Sequence, residues 1–266
     1  DYPAGEYVQI IDFSSYTKPG KNYYLVAAPA TSFQFDIGND IYTNMKYDAL
    51  KYFYHARSGL EIKMPYSEKS AWSRPAGHTE DIAVPASVKD YAGPESIDAT
   101  GGWYDAGDYG KYMVNGGLAL WILQNQYEHS KKYGVDDIFG DSRLNIPESG
   151  NKINDLLDET RWEMEWMLKM QIPEGYDRAG MAIHKMGDQY WTLLATRPDQ
   201  DDQRRIYYAP TTAATLNLAA CAAQAARIWK DIDAEFSDKC LNASKRAYEA
   251  AKANPAIFYP YWAKNG

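Results

Sequence analysis

The feature that most constrains this chain is a change of hydrophobic period at Gly38. Before it, "YVQIIDF" and "SFQFDI" alternate at period two, with Phe33, Phe35 and Ile37 on one face, and "YYLVA" reads as a strand between them. The Pro-Gly of "TKPGKN" marks a turn. After it, Ile41, Met45, Ala49, Tyr52, Phe53 and Ala56 recur at helical spacing behind Asn39 or Asp40 as N-cap, until Ser58-Gly59 ends the run. About three strands are too few for a free-standing sheet domain, so residues 1–38 lean on something or belong to a larger sandwich. The region 39–266 is mainly helical. Further helices are predicted over about 112–133, 152–170, 210–229 (opened by Pro210) and 237–252 (capped by Ser237). The long stretch 59–101, with Pro65, Pro75, Pro85 and Pro94, reads as irregular.

At 266 residues the chain is one large domain or two smaller ones. Its 28 basic and 36 acidic residues give a net charge of −8, which argues against a nucleic-acid partner. No apolar run reaches the ~18 residues of a membrane span. The departure from average composition is aromatic: 14%, with 23 tyrosines and 8 tryptophans. Flat side chains of this kind fill cores, and they also stack on the C–H faces of sugars. The two cysteines, Cys221 and Cys240, read as buried thiols; a bridge would require their helices to abut. The chain starts at Asp1 without methionine or signal peptide, which processing and trimming both explain.

The stretch "GGWYDAGDYGKY" (101–112) sets Asp105 and Asp108 three apart, among glycines and aromatics. One aspartate can activate a water while the other helps to hold it. An acid–base pair that inverts at a sugar carbon stands roughly 6.5–9.5 Å apart, so two aspartates of one loop resemble one half of such a pair. The same spacing suits calcium, or turn and helix capping. His55, His78, His129 and His184 include no i, i+4 pair, and no Cys-x-x-Cys exists, so spacing reveals no zinc site. Neither a G-x-S-x-G elbow nor a phosphate cradle is present. In "HKMGDQYW", His184 and Trp191 fall in a loop, where the tryptophan serves as a sugar platform or packs the loop down. In and after "NIPESGN", Glu148, Asn154 and Asp155 offer oxygens to calcium or caps to the next helix.

Taken in order, "ALKYFYHARSGLEI", "WSRPAGH", "GGWYDAGDYGKY", "NIPESGN…LLDETRWEMEWMLKMQ" and "APTTAATLNLAACAAQAARIW" closely resemble glycoside hydrolase family 9, the inverting β-1,4-glucanases commonly called cellulases. The match runs from about residue 39 to the end. Residues 1–38 resemble the tail of the immunoglobulin-like β-sandwich that precedes the catalytic domain in one branch. The resemblance implies the first part of an (α/α)6 barrel with an open cleft. It implies Asp108 as general base on the attacking water, Asp105 as its helper, and Tyr109, Trp191 and His184 along the cleft. The partner it implies is a β-1,4-glucan or cello-oligosaccharide, with the remainder of the catalytic domain completing the site and secretion as the location. Alternatives are a non-catalytic glucan-binding remnant and an exo-acting enzyme on cello- or glucosamine oligosaccharides. No cofactor is required for the chemistry, and structural calcium is admitted with its ligands unassigned. Zinc is not expected, because Ser58 and Gly77 stand where zinc-binding members have cysteine, leaving His78 alone. The family's general acid, a glutamate near the domain's C-terminus, is expected beyond Gly266.

Overall fold

The computed structural model describes residues 4, 5 and 7–259, which form two compact units parted between Ala49 and Leu50. In the first unit, β1 (Gly20–Tyr23) pairs antiparallel with β4 (Phe35–Ile37), and β2 (Val26–Ala27) with β3 (Ala30–Thr31). The stretch 33–37 thus supplies a strand as its alternation predicts. Residues 7–13 do not: they join no ladder, and Tyr7 and Ile10 are exposed. Alternation makes a strand only where a neighbour accepts its backbone groups. Phe13 is held instead by its ring, 5.4 Å from that of Phe35. Helix α1 (Thr43–Ala56) follows, with the Thr43 amide donating to the Asp40 carbonyl at 3.0 Å.

Four longer helices build the second unit: α2 (Met113–Lys132), α3 (Asp155–Lys169), α4 (Thr212–Trp229) and α5 (Ala234–Ala253). Each of the last three opens on a side-chain cap that accepts a backbone amide: Asn154 from Leu156 at 3.1 Å, Thr211 from Ala214 at 3.3 Å, and Asp233 from Phe236 at 3.0 Å. Ser237, expected as the cap of α5, lies one turn inside it. Its hydroxyl donates to the Ala226 carbonyl at 2.7 Å and ties α5 to α4. The alanines of these two helices let the backbones approach, and Trp229 meets Phe236 edge to face at 5.2 Å where the pair closes. Cys221 and Cys240 are buried free thiols, and the Cys221 thiol donates to the Gly117 carbonyl on α2. Leu120, Leu157, Met164, Met167, Leu218 and Ala222 fill the core between α2, α3 and α4. On the opposite side of α2, Leu118, Trp121 and Ile122 stay 57, 43 and 52% exposed. No helix among the described residues is long and apolar enough to cross a membrane.

A five-stranded sheet lies among the loops that sequence periodicity leaves irregular. It consists of β5 (Ile82–Pro85), β6 (Ile97–Asp98), β7 (Lys111–Tyr112), β8 (Lys185–Asp188) and β9 (Arg205–Tyr207), in the order β6-β5-β9-β8-β7. Strands β5 and β9 run parallel; the other pairs are antiparallel. Strands of two to four residues are too short to show a period, and their partners are remote in sequence. This sheet carries the aspartate loop on its β7 edge.

Candidate active site

The aspartate loop is built from beneath. Gly101 and Gly102 both take positive φ, and a Cβ on Gly102 would stand 2.6 Å from the Trp166 ring, so only glycine lets the chain turn there. Next, the Trp103 amide donates to Glu163 Oε2 and its indole to Glu159 Oε1, each at 2.8 Å. Arg57 grips Glu159 with two parallel bonds of 3.0–3.1 Å and Glu148 with a third of 2.7 Å. Burial pushes the Glu163 carboxyl up to about 8, leaving it a neutral acid at pH 7. Lys111, wholly buried, pairs with Asp81 at 2.7 Å and donates to the carbonyls of Ala99 and Gly101. The loop closes on itself where the Asp105 amide meets the Gly110 carbonyl at 2.9 Å.

Asp108 Oδ2 accepts from the Tyr112 hydroxyl at 2.9 Å, and its carbonyl accepts from Thr192 Oγ1 at 3.3 Å. Oδ1 is buried and has no partner among the described residues. Asp108 lines an open pocket. Lys185, Tyr190, Trp191 and Tyr208 share that lining. The Lys185 ammonium lies over the rings of Tyr112 and Tyr208, 5.3 and 4.6 Å from their centroids. Asp105 is exposed, receives Asn115 Nδ2 at 3.2 Å, and lines a second cavity of about 140 Å³ with Phe53, Trp103 and Tyr112.

The five residues singled out from sequence therefore occupy different places. Asp108 and Trp191 line the same pocket, with Trp191 64% exposed. Asp105 faces the adjoining cavity. Tyr109 is buried: its ring packs 4.9 Å from Tyr104 and 5.7 Å from His78, and its hydroxyl donates to the Thr196 carbonyl. His184, half-buried, stacks on Tyr259 at 4.2 Å and contacts Thr211 Oγ1 at 3.0 Å; burial, then Lys185, pushes its imidazole down to about 4. Sequence reading missed Tyr112, Lys185, Thr192 and Arg205. Tyr112 stands in the quoted motif, and its place four residues after Asp108 was the available signal. Lys185 and Arg205 come to the loop on strands β8 and β9, and Thr192 lies just past β8.

Of the proposed calcium ligands, Asn154 and Asp155 serve the backbone. Asn154 caps α3, and Asp155 accepts the amides of Ser142 and Leu144 at 3.1 and 2.5 Å. Besides Asp108 Oδ1, the buried carboxylate oxygens without a hydrogen-bond partner among the described residues are Glu148 Oε2, Asp158 Oδ2, Asp199 Oδ1 and Asp201 Oδ2. At the positions weighed for zinc, the Pro198 backbone fills the space of a Cβ on Gly77, and His78 Nδ1 lies 2.6 Å from the Tyr104 hydroxyl. His78, Asp188 and Asp201 bring ligand atoms within 4.8 Å of one another, but Asp188 already serves Arg205 and Thr192.

The description "Glycosyl hydrolase family 9" matches residues 42–265. The chain belongs to that family. Residues 1–32 match "Cellulase N-terminal ig-like domain". Among curated relatives, the cellulose 1,4-beta-cellobiosidase of Acetivibrio thermocellus is 45% identical over 287 residues, covering 100% of this chain and 32% of its own length. Endoglucanase C of Cellulomonas fimi is 44% identical over 268 residues, covering 97% of this chain and 24% of its own. A metagenome-derived glycoside hydrolase family 9 endoglucanase has a solved structure that superposes with a TM-score of 0.81 at 36% identity, over 96% of this chain and 44% of that one. The chain thus spans about a third and a quarter of the two curated relatives. Its helices are the first part of the family 9 (α/α)6 barrel.

Proposed function

We propose that the protein containing this chain hydrolyses β-1,4-glucosidic bonds of cellulose or a related β-glucan with inversion, Asp108 acting as general base. The observation that carries this is that Asp108 lines an open pocket together with Trp191, with Oδ2 fixed by Tyr112 and Oδ1 without a partner among the described residues. A carboxylate so held accepts a proton from a water in that pocket as the water attacks the anomeric carbon. Asp105, next in the loop, serves the water from the neighbouring cavity. Trp191, exposed above Asp108, offers a face for a glucose ring. Tyr109, buried, and His184, half-buried, shape the cleft from behind. A glutamate in the remainder of the catalytic domain supplies the acid, and that remainder covers the apolar stripe of Leu118, Trp121 and Ile122 on α2. The reaction needs no cofactor, any calcium is structural, and the location is extracellular, in keeping with cellulase relatives.

The test uses the full-length protein on soluble cello-oligosaccharide, with proton NMR of the first product. The α anomer is expected first, and Asp108→Asn lowers kcat by at least about 10²-fold. First-formed β anomer, or unchanged kcat in Asp108→Asn, refutes the reading. Because the 45%-identical relative is named a cellobiosidase, exo action on chain ends is the second reading. A rapid fall in viscosity of a soluble glucan favours endo cleavage over it.

A further inference from the structure

We propose that Arg205 is a positioning residue, whose guanidinium holds the backbone of the Asp108 loop in the shape that aims the carboxylate. The loop needs such a hold. Tyr109, the residue after Asp108, has φ +51, a left-handed conformation costly for a tyrosine. Its carbonyl accepts from Arg205 Nη2 at 2.9 Å. The guanidinium is itself immobile. Arg205 is 6% exposed on β9; Nε and Nη2 reach the Asp81 carboxylate at 2.9 and 3.4 Å, and Nη1 donates to Asp188, its partner across β8. Asp81 is fixed in turn by Lys111, the residue that begins β7 at the loop's far end. The C-terminal end of the turn therefore hangs on Asp81 through Lys111, and the middle hangs on the arginine that Asp81 orients. A lysine would keep the charge but lacks the planar fork that serves Asp81, Asp188 and the carbonyl together.

The proposal rests on Asp108 as base, and the test separates the two. In the full-length protein, Arg205→Lys is expected to lower kcat about 10²-fold, as an ångström-scale misplacement does, with KM for cello-oligosaccharide within about threefold. Hydrogen exchange at the Asp105 amide, which closes the loop on Gly110, is expected to quicken, while the amides of α3 and α4 keep their protection. Unchanged kcat with slow exchange at Asp105 overturns the proposal. So does exchange quickened equally in loop and helices, which marks a merely structural arginine. Should Arg205→Lys fail to fold, the double variant Arg205→Met with Asp188→Asn removes one charge of each sign and spares the Asp81–Lys111 pair; the same outcomes decide. Asp108→Asn, assayed beside them, judges the base alone: full activity there sinks the base, whereas the exchange data still judge the loop's hold.

Discussion

Glu163→Gln tests whether the acid beneath the aspartate loop is neutral. Glu163 is 1% exposed on α3 and accepts the Trp103 amide; burial pushes its carboxyl from 4.5 up to about 8, opposed by that hydrogen bond and by Lys111. The folded state then holds a proton between these values that the unfolded chain has released. Stability from this group is full below about pH 4.5, drains as pH rises towards 8, and is flat above. At 1.36 kcal/mol per unit, the loss is on the order of 3–5 kcal/mol, the upper figure assuming no relaxation around the charge. Glutamine keeps an acceptor for the Trp103 amide and never ionises. Urea unfolding followed by tryptophan fluorescence should find the two proteins within about 1 kcal/mol of each other near pH 5, and the variant several kcal/mol more stable near pH 8.5. Asp158, which burial pushes up to about 6, contributes a slope of the same sign to both proteins and cancels in the comparison. Parallel stability curves across this range would show that Glu163 is already ionised, and the reasoning would fall.

Two further outcomes follow from the structure. Gly102→Ala puts a Cβ 2.6 Å from the Trp166 ring at φ +75, so a loss of about 3 kcal/mol is expected in urea; unchanged stability would mean that the loop can relax away. If calcium joins Glu148 Oε2 and Asp158 Oδ2, a chelator lowers Tm by roughly 5 °C and Asp158→Asn abolishes that response; an unmoved Tm in chelator refutes the site.

What was legible in the sequence and what was not divide along one physical line. The helices announced themselves because each is long enough to repeat its apolar face, as Leu156, Leu157, Met164 and Met167 do along α3. The Asp105–Asp108 turn was legible because its glycines and aromatics are contiguous. Errors of detail came from ambiguous local chemistry. Asp233 and Ser237 are both good caps one turn apart, and the contact of Ser237 with the Ala226 carbonyl decided between them. The alternation at 7–13 met no partner strand. The sheet escaped notice because β5 to β9 are brief and pair across gaps as wide as that between Val84 and Ile206.

That hidden sheet turns a loop into an instrument. Seen alone, "DAGDYG" is a flexible turn with two acids, equally fit for catalysis, calcium or capping. In the structure, Lys111 and Arg205 arrive at Asp81 from opposite sides, and Trp103 is pinned to Glu159 and Glu163. Tyr112 is placed by β7 to bind one oxygen of Asp108 while the other stays unpartnered. Buried ion pairs are a poor source of stability, because desolvation offsets most of their attraction. Their value here is geometric: a network of forked, fully engaged donors has few alternative arrangements. Such a network holds the Asp108 turn in one shape, which a glycine-rich turn cannot do by its own propensities.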